Sequence, residues 1–155
     1  FYPKGYEGEG FTNLFQPEVI KVLFEPNNGW FPYALPILFA LIVGLLLLRR
    51  NAELKKYFVL AVALILMCSV VTGAWWTYTF GCGLGARNFV DFSFLWMLMM
   101  ALVLQDLEKF KGGYYSFIIV NVFVVVLNIS LSYNYDNCWF GGENWDWQTY
   151  LRLMI

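Results

Sequence analysis

Residues 57–76 read YFVLAVALILMCSVVTGAWW, and this stretch decides the fold. It contains no charged residue, and its 20 residues match the roughly 20 that an α-helix needs to cross about 30 Å of hydrocarbon. It ends in a pair of tryptophans, which are typical of the membrane boundary, where the ring is apolar and the polar atom is hydrated. The stretch therefore predicts a transmembrane helix.

Three further apolar stretches of similar length occur at residues 31–48, 89–107 and 115–133. The chain is 60% hydrophobic and only 14% charged, whereas about 25% of the residues of a typical soluble domain are charged. A chain of 155 residues has no outer layer with which to cover four apolar helices from water. We therefore expect an all-α integral membrane protein with four transmembrane helices over residues 31–133. An outer segment at residues 1–30 precedes them, and an outer aromatic tail at residues 134–155 follows.

The basic residues of the loops predict the orientation. Six of the ten lysines and arginines lie in two short loops, as Arg49, Arg50, Lys55, Lys56, Lys109 and Lys111. Short loops rich in these residues stay in the cytoplasm, so both chain ends should be non-cytoplasmic. The tryptophans and tyrosines at the ends of the spans support the same orientation, because they lie on the side opposite the basic loops. They are Trp30, Tyr33, Trp75, Trp76, Tyr78, Tyr133, Tyr135 and Trp139.

The outer segment contains a short helical pattern. Its apolar residues recur at helical spacing within residues 15–24, as Phe15, Val19, Val22 and Leu23. Pro17 suits the first turn of such a helix. Two interpretations stay open, namely a helix lying in the outer membrane interface and a loop helix packed on the ends of the spans.

Small and polar residues predict contacts between the spans. Small residues four positions apart allow close approach of helices, and they occur as Ala40 with Gly44 and Ser69 with Gly73. Asn121 and Asn128 lie seven positions apart, and therefore on one face of the fourth span. An amide is not expected to face lipid. This face therefore either forms hydrogen bonds between helices or lines a polar channel.

The composition excludes several classes of function. The chain has no histidine, the commonest general base and the commonest metal ligand. We therefore expect no histidine-dependent hydrolysis, no metal site and no cofactor within this chain, and no nucleic-acid partner. No span carries a charge near its centre, which argues against a transporter.

The chain starts at Phe1 without signal-peptide features, so we expect it to begin partway through a longer product or after processing.

The most unusual loop lies at residues 75–91, which read WWTYTFGCGLGARNFVD. Its three closely spaced glycines let backbone amides turn toward a ligand. Arg87 offers planar donors that suit a phosphate, and an anion there would lie near the positive start of the third span. The alternative is an ion pair between Arg87 and Asp91 that fixes the loop to the helix.

Two motifs in order resemble a known family. Residues 23–36 read LFEPNNGWFPYALP before an apolar span and a basic turn, and residues 80–91 read FGCGLGARNFVD after the two tryptophans. This order is similar to the later part of bacterial multi-spanning glycosyltransferases of the C-type superfamily, which includes mannosyltransferases acting on proteins and lipids. The resemblance covers residues 23–107.

The resemblance implies a transferase of the bacterial inner membrane that uses a sugar carried on polyprenyl phosphate at the outer membrane boundary. It implies that Arg87 holds the carrier phosphate, while Trp75 and Trp76 either stack on the sugar or anchor the helix end. The family's catalytic carboxylate usually lies in an early outer loop that no part of this chain matches. The catalytic residue is therefore unknown and expected in a missing N-terminal part, since Glu143 and Asp146 lie in a solvated tail. The alternative is a non-catalytic small subunit that binds and stabilises a larger membrane complex.

The three cysteines are divided by this topology. Cys68 lies within the second span, where a thiol behaves as a small hydrophobe. Cys82 and Cys138 lie in outer segments, where disulfides can persist. A disulfide between them is one expectation and two free thiols are the other, because the bridge needs a Cα separation of roughly 4.4 to 6.8 Å.

Overall fold

The computed structural model describes residues 10–47, 52–79, 85–134 and 146–154. These residues are 75% helical and contain no strand, which confirms the all-α class. The α-helices are α1 (Val19–Phe24), α2 (Leu35–Leu47), α3 (Ala52–Gly73), α4 (Ser93–Leu107), α5 (Lys111–Asn134) and α6 (Trp147–Met154). A 3₁₀ helix, Arg87–Phe92, leads directly into α4.

Three of these helical stretches are long and apolar enough to cross a membrane. They are α3 with 22 residues, the 3₁₀ helix continued by α4 with 21, and α5 with 24. Many large hydrophobic side chains on their surfaces are exposed, among them Val59, Met97 and Phe123. Such surfaces would be unfavourable in water but suit a lipid environment. The protein thus has three helices that could span a membrane.

The first predicted span, residues 31–48, contains a shorter helix than expected. α2 has 13 residues, which extend about 20 Å at 1.5 Å per residue. Residues 31–34 form a turn instead, in which the Ala34 N–H donates to the Trp30 carbonyl at 3.0 Å. A proline disfavours helical backbone in the residue before it, and Pro32 has this effect on Phe31, whereas Pro36 is tolerated in the first turn of α2. The fourth span is therefore not confirmed.

The small residues of α2 lie where this helix packs closely on α3 and α4. Ala40 and Gly44 are both buried. A Cβ atom added to Gly44 would lie 3.2 Å from Cδ2 of Phe58 on α3 and 3.5 Å from Cγ2 of Val103 on α4. The predicted protein contact of this face of α2 is thus confirmed, and it joins three helices in one core.

The helix α1 packs on the end of α3. The Glu18 N–H donates to the Gly73 carbonyl at 3.1 Å, and a Cβ on Gly73 would lie 2.8 Å from the Glu18 nitrogen. Val22 and Leu23 are buried in this contact. Pro17 precedes the helix rather than lying in its first turn. Packing on the span ends is therefore observed, while a position in the membrane interface is not confirmed.

The two asparagines of α5 behave differently. Asn128 Nδ2 donates to the Tyr33 carbonyl at 3.1 Å, which fixes α5 to the turn before α2. Asn121 Nδ2 donates instead to the Phe117 carbonyl at 2.7 Å, within its own helix. The Oδ1 atoms of both are buried without a hydrogen-bond partner. Asn128 therefore links α5 to a distant segment, the turn before α2, whereas these Nδ2 bonds do not join α5 to another helix.

The segments predicted to share one side of the membrane meet at one end of the helix bundle. Tyr150 of α6 donates its hydroxyl to the Pro32 carbonyl and packs edge-on against the Tyr33 ring, with 5.6 Å between ring centroids. Trp30 stacks on Phe89, just before α4. The described lysines of the basic turns lie at the other end, at the start of α3 and between α4 and α5.

Candidate functional site

One wall of the candidate site is the tight turn that follows α1. The Gly29 N–H donates to the Glu25 carbonyl at 2.9 Å, and the Trp30 N–H donates to the Val22 carbonyl at 2.8 Å. A Cβ on Gly29 would collide with the Glu25 carbonyl oxygen and lie 2.7 Å from the Glu25 nitrogen, so the turn accepts only glycine there. Asn28 has a φ of 61°, a left-handed conformation that asparagine tolerates. The turn reverses the chain and directs Trp30 into the bundle.

Trp30 forms the centre of a buried aromatic cluster. Its ring stacks on Phe89 with 4.2 Å between centroids and 12° between planes, and it lies 5.2 Å from the Trp96 ring. Trp96 donates its indole N–H to the Phe89 carbonyl at 3.1 Å. All three side chains are less than 5% exposed. This cluster fixes the 3₁₀ helix and the start of α4 against the turn.

The loop that carries Arg87 passes directly over Tyr33. Gly85 has a φ of 76°, and a Cβ there would lie 2.9 Å from the Tyr33 Cβ. The Tyr33 hydroxyl donates to the Pro26 carbonyl at 2.6 Å, which holds the ring in place. Glycine suits this position for two reasons, because the backbone has a positive φ and because it passes close to the Tyr33 side chain. Arg87 follows two residues later, at the start of the 3₁₀ helix.

Between these elements lies an open cavity of about 240 Å³. Four of its lining residues are aromatic, namely Trp30, Tyr33, Phe89 and Trp96, and of these Tyr33 is partly exposed while the other three are buried. Among its described lining residues Arg87 carries the only charge. The cavity therefore combines a planar cation with a largely apolar lining at the aromatic end of the bundle.

Three ion pairs join lysines to neighbouring acidic residues among the described residues, namely Lys21 with Glu18, Lys56 with Glu53, and Lys109 with Asp106. The alternative role of Arg87, an ion pair with Asp91, stays a prediction.

Trp75 and Trp76 do not line this cavity. The Trp75 ring packs edge-on against Phe11 with 5.0 Å between centroids, and its carbonyl accepts a hydrogen bond from Asn13 Nδ2 at 3.1 Å. The Trp76 N–H donates to the Gly10 carbonyl at 2.8 Å, while its side chain is 45% exposed. These contacts join the end of α3 to the segment before α1 and agree with the anchoring role.

Two titratable groups near this end are poorly suited to act as a general base. Burial, and after it the charges of Glu25 and Glu18, raises the pKa of Tyr78 to about 12, so the phenol stays protonated near neutral pH. The Thr149 backbone N–H, 2.8 Å from Asp146 Oδ1, lowers the pKa of the Asp146 carboxyl below its ordinary value. That carboxylate stays ionised and caps α6, and a lowered pKa makes it a weaker base.

Other expected site features are only partly covered by the structure. Cys82, Cys138 and Glu143 lie outside the described residues, so the disulfide stays a prediction. Cys68 is a free thiol within α3. The described ranges contain no group of three or more histidines, cysteines, aspartates or glutamates that could hold a metal ion.

Sequence reasoning missed part of this site. It placed Trp30 and Tyr33 at the membrane boundary and in the first motif of the resemblance, and Phe89 in the second motif, but it gave none of them, nor Trp96, a role in a site. The glycine before Trp30 signals a tight turn, and such a turn often directs an aromatic residue to a fixed place. No pattern within the chain signals that Trp96 would hydrogen-bond to Phe89.

The site as a whole can hold an anionic group, and beside it an apolar group or a sugar ring. Its parts come from two separated segments, which are the turn after α1 with the start of α2, and the 3₁₀ helix with the residues on either side of it. No family model, curated protein or solved structure that was compared matches the chain.

Proposed function

We propose that the chain is the membrane-embedded later part of a glycosyltransferase that uses a sugar linked to polyprenyl phosphate. The observation that carries this proposal is the position of Arg87 on an aromatic cavity, at the end of the bundle where the other aromatic segments meet. A guanidinium group binds phosphate through paired planar donors. Tyr33, the partly exposed aromatic residue of the lining, is available to contact a sugar. The catalytic base belongs to an N-terminal part of the protein or to another membrane subunit.

The proposed role of Arg87 follows from the chemistry of the transfer. The acceptor hydroxyl attacks the sugar's anomeric carbon, the bond from that carbon to the phosphate oxygen breaks, and the base outside this chain takes the hydroxyl proton. The leaving polyprenyl phosphate then gains negative charge. A fixed guanidinium close to this phosphate stabilises the charge as it develops.

Binding of polyprenyl phosphate is expected to depend on Arg87. Arg87→Ala should weaken it by about tenfold to a hundredfold, the range for a lost hydrogen bond to a charged group. Arg87→Lys should also weaken it, because lysine keeps the charge but loses the two-donor geometry. Binding of radiolabelled undecaprenyl phosphate to the purified protein in nanodiscs measures both effects.

The matched control is Arg152→Ala. Arg152 is an exposed arginine of α6 and does not line the cavity. This variant should bind the lipid as the unmodified protein does. Unchanged binding in both Arg87 variants would refute the proposed contact.

The proposal includes a topology in the bacterial inner membrane. α2 and its flanking residues form a fourth crossing, both chain ends are non-cytoplasmic, and the segment around α1 lies in the outer interface. The exposure of Phe15 at 96% and of Ile20 at 77% supports an interfacial position, because both project away from the bundle. The separation of described lysines and aromatic clusters at opposite ends supports the orientation.

Single cysteines at two exposed positions test this topology. Ala52 is the first residue of α3 at the basic end, and Gln148 lies in α6 at the aromatic end. In a variant whose three native cysteines are replaced by serine, a membrane-impermeant maleimide should label Gln148→Cys on intact spheroplasts. Ala52→Cys should react only after the membrane is permeabilised. The reverse pattern would show that the orientation is inverted.

A further inference from the structure

The last described helix, α6, has an apolar side that the bundle does not cover. Tyr150 and Met154 are 3% and 7% exposed, and they form a buried cluster with Leu131 of α5. Trp147 and Leu151 are also apolar, but they are 49% and 52% exposed. We call these two residues the α6 flank. α6 therefore carries more apolar surface than its contacts with the bundle use.

The α6 flank lies between the buried side of the helix and its polar side. At 3.6 residues per turn, the flank is rotated by about 60° around the helix axis from the buried pair. Gln148 and Arg152, which are both exposed, lie about 100° further on. Protein, apolar flank and polar side thus follow one another around the helix. This order fits a helix at the boundary between hydrocarbon and water.

Two hydrogen bonds hold α6 at the end of a helix that could cross a membrane. Asn134, the last residue of α5, donates its Nδ2 to the Leu153 carbonyl at 2.9 Å. The Tyr150 hydroxyl donates to the Pro32 carbonyl in the turn before α2. Tyr133, the residue before Asn134, is 90% exposed, so the exposed surface of α5 reaches this end. The α6 flank therefore lies where a bilayer around α5 would have its boundary.

We propose that α6 lies in the membrane interface, with the α6 flank inserted into a phospholipid surface among the headgroups and the upper acyl chains. Trp147 suits this depth, because a tryptophan ring is apolar while its N–H is polar. Gln148 and Arg152 then face water, as the polar side of an interfacial helix does. This position holds for either orientation of the chain and whatever lipid the Arg87 cavity binds.

Spin labels on single cysteines test the position of α6. In the variant whose three native cysteines are replaced by serine, Leu151→Cys carries the label on the α6 flank, and Gln148→Cys carries it on the polar side. Phe123→Cys is the reference for hydrocarbon, because Phe123 lies within α5 and is 61% exposed. The purified protein in phosphatidylcholine nanodiscs meets oxygen, which concentrates in lipid, or a nickel chelate, which stays in water. Power saturation in electron paramagnetic resonance measures the collisions of each reagent with the label.

The ratio of oxygen collisions to nickel-chelate collisions should be severalfold higher for Leu151→Cys than for Gln148→Cys, and it should approach the ratio for Phe123→Cys. Trp147→Cys should give the same result, and it takes the place of Leu151→Cys if that variant does not fold. A flank ratio no higher than that of Gln148→Cys would show that the flank faces water and would overturn the inference. Few collisions with either reagent would overturn it as well, because protein rather than lipid would then cover the flank.

Discussion

Trp30→Ala is expected to lower the free energy of unfolding by about 3 to 5 kcal/mol, the range for truncating a large buried aromatic side chain. The Trp30 side chain is 4% exposed, and it contacts Phe89 and Trp96 at once. Its loss removes the aromatic link between the turn after α1 and the start of α4. Reversible unfolding by sodium dodecyl sulfate in mixed micelles measures the change.

Two variants serve as references for this prediction. Trp30→Phe keeps a ring over Phe89 and should recover part of the stability. Trp76→Ala removes a tryptophan that is 45% exposed and should cost much less, because exposed groups bury little surface on folding. A loss for Trp30→Ala no larger than that for Trp76→Ala would show that the aromatic cluster does not stabilise the fold.

Gly29→Ala is expected to destabilise the protein by about 3 kcal/mol, at the upper end for introducing a side chain into a filled space. The added Cβ would collide with the Glu25 main chain, which cannot rotate away as a flexible side chain can. The turn would have to open, and this would weaken the hydrogen bond from the Trp30 N–H to the Val22 carbonyl. The same unfolding titration measures this effect.

Gly112→Ala provides the matched glycine control. A Cβ at Gly112 would meet no atom within 4 Å, and the residue lies in the first turn of α5. Alanine should therefore leave stability unchanged or raise it by up to about 1 kcal/mol, as expected for glycine replaced in a helix. Equal effects of Gly29→Ala and Gly112→Ala would contradict the role given to the turn.

The helices were predictable where apolar length alone determines them. Two predicted spans fall largely within single helices, residues 57–76 within α3 and residues 115–133 within α5. The span at residues 89–107 covers most of the 3₁₀ helix and all of α4. The helix within the first apolar stretch was harder to predict. Pro32 and the turn before α2 occupy residues that their apolar composition assigned to the membrane span. Hydropathy measures the apolar character of a segment, but it does not show that a proline delays the start of a helix.

Of the site residues predicted from the sequence, Arg87 lies on the cavity, whereas Trp75 and Trp76 do not. The charge of Arg87 and the nearby glycines indicated either an anion-binding loop or an ion pair with Asp91. The aromatic walls come from residues more than 50 positions apart in the chain, such as Trp30 and Phe89. Contacts between such distant segments depend on tertiary packing, which no local spacing encodes. For the same reason, the sequence did not distinguish Asn121 from Asn128.

The attachment of α5 has a consequence for the order of assembly during synthesis. The main core joins α1, α2, α3 and α4, and α5 contributes Phe117 to its buried residues. The other end of α5 is held by a separate cluster of Leu131, Tyr150 and Met154, two of which belong to α6. The first four helices can therefore pack as soon as they leave the ribosome, whereas α5 gains its second attachment only after the C-terminal residues have been made. Until then α5 is held mainly through its first half and through the Asn128 hydrogen bond to Tyr33.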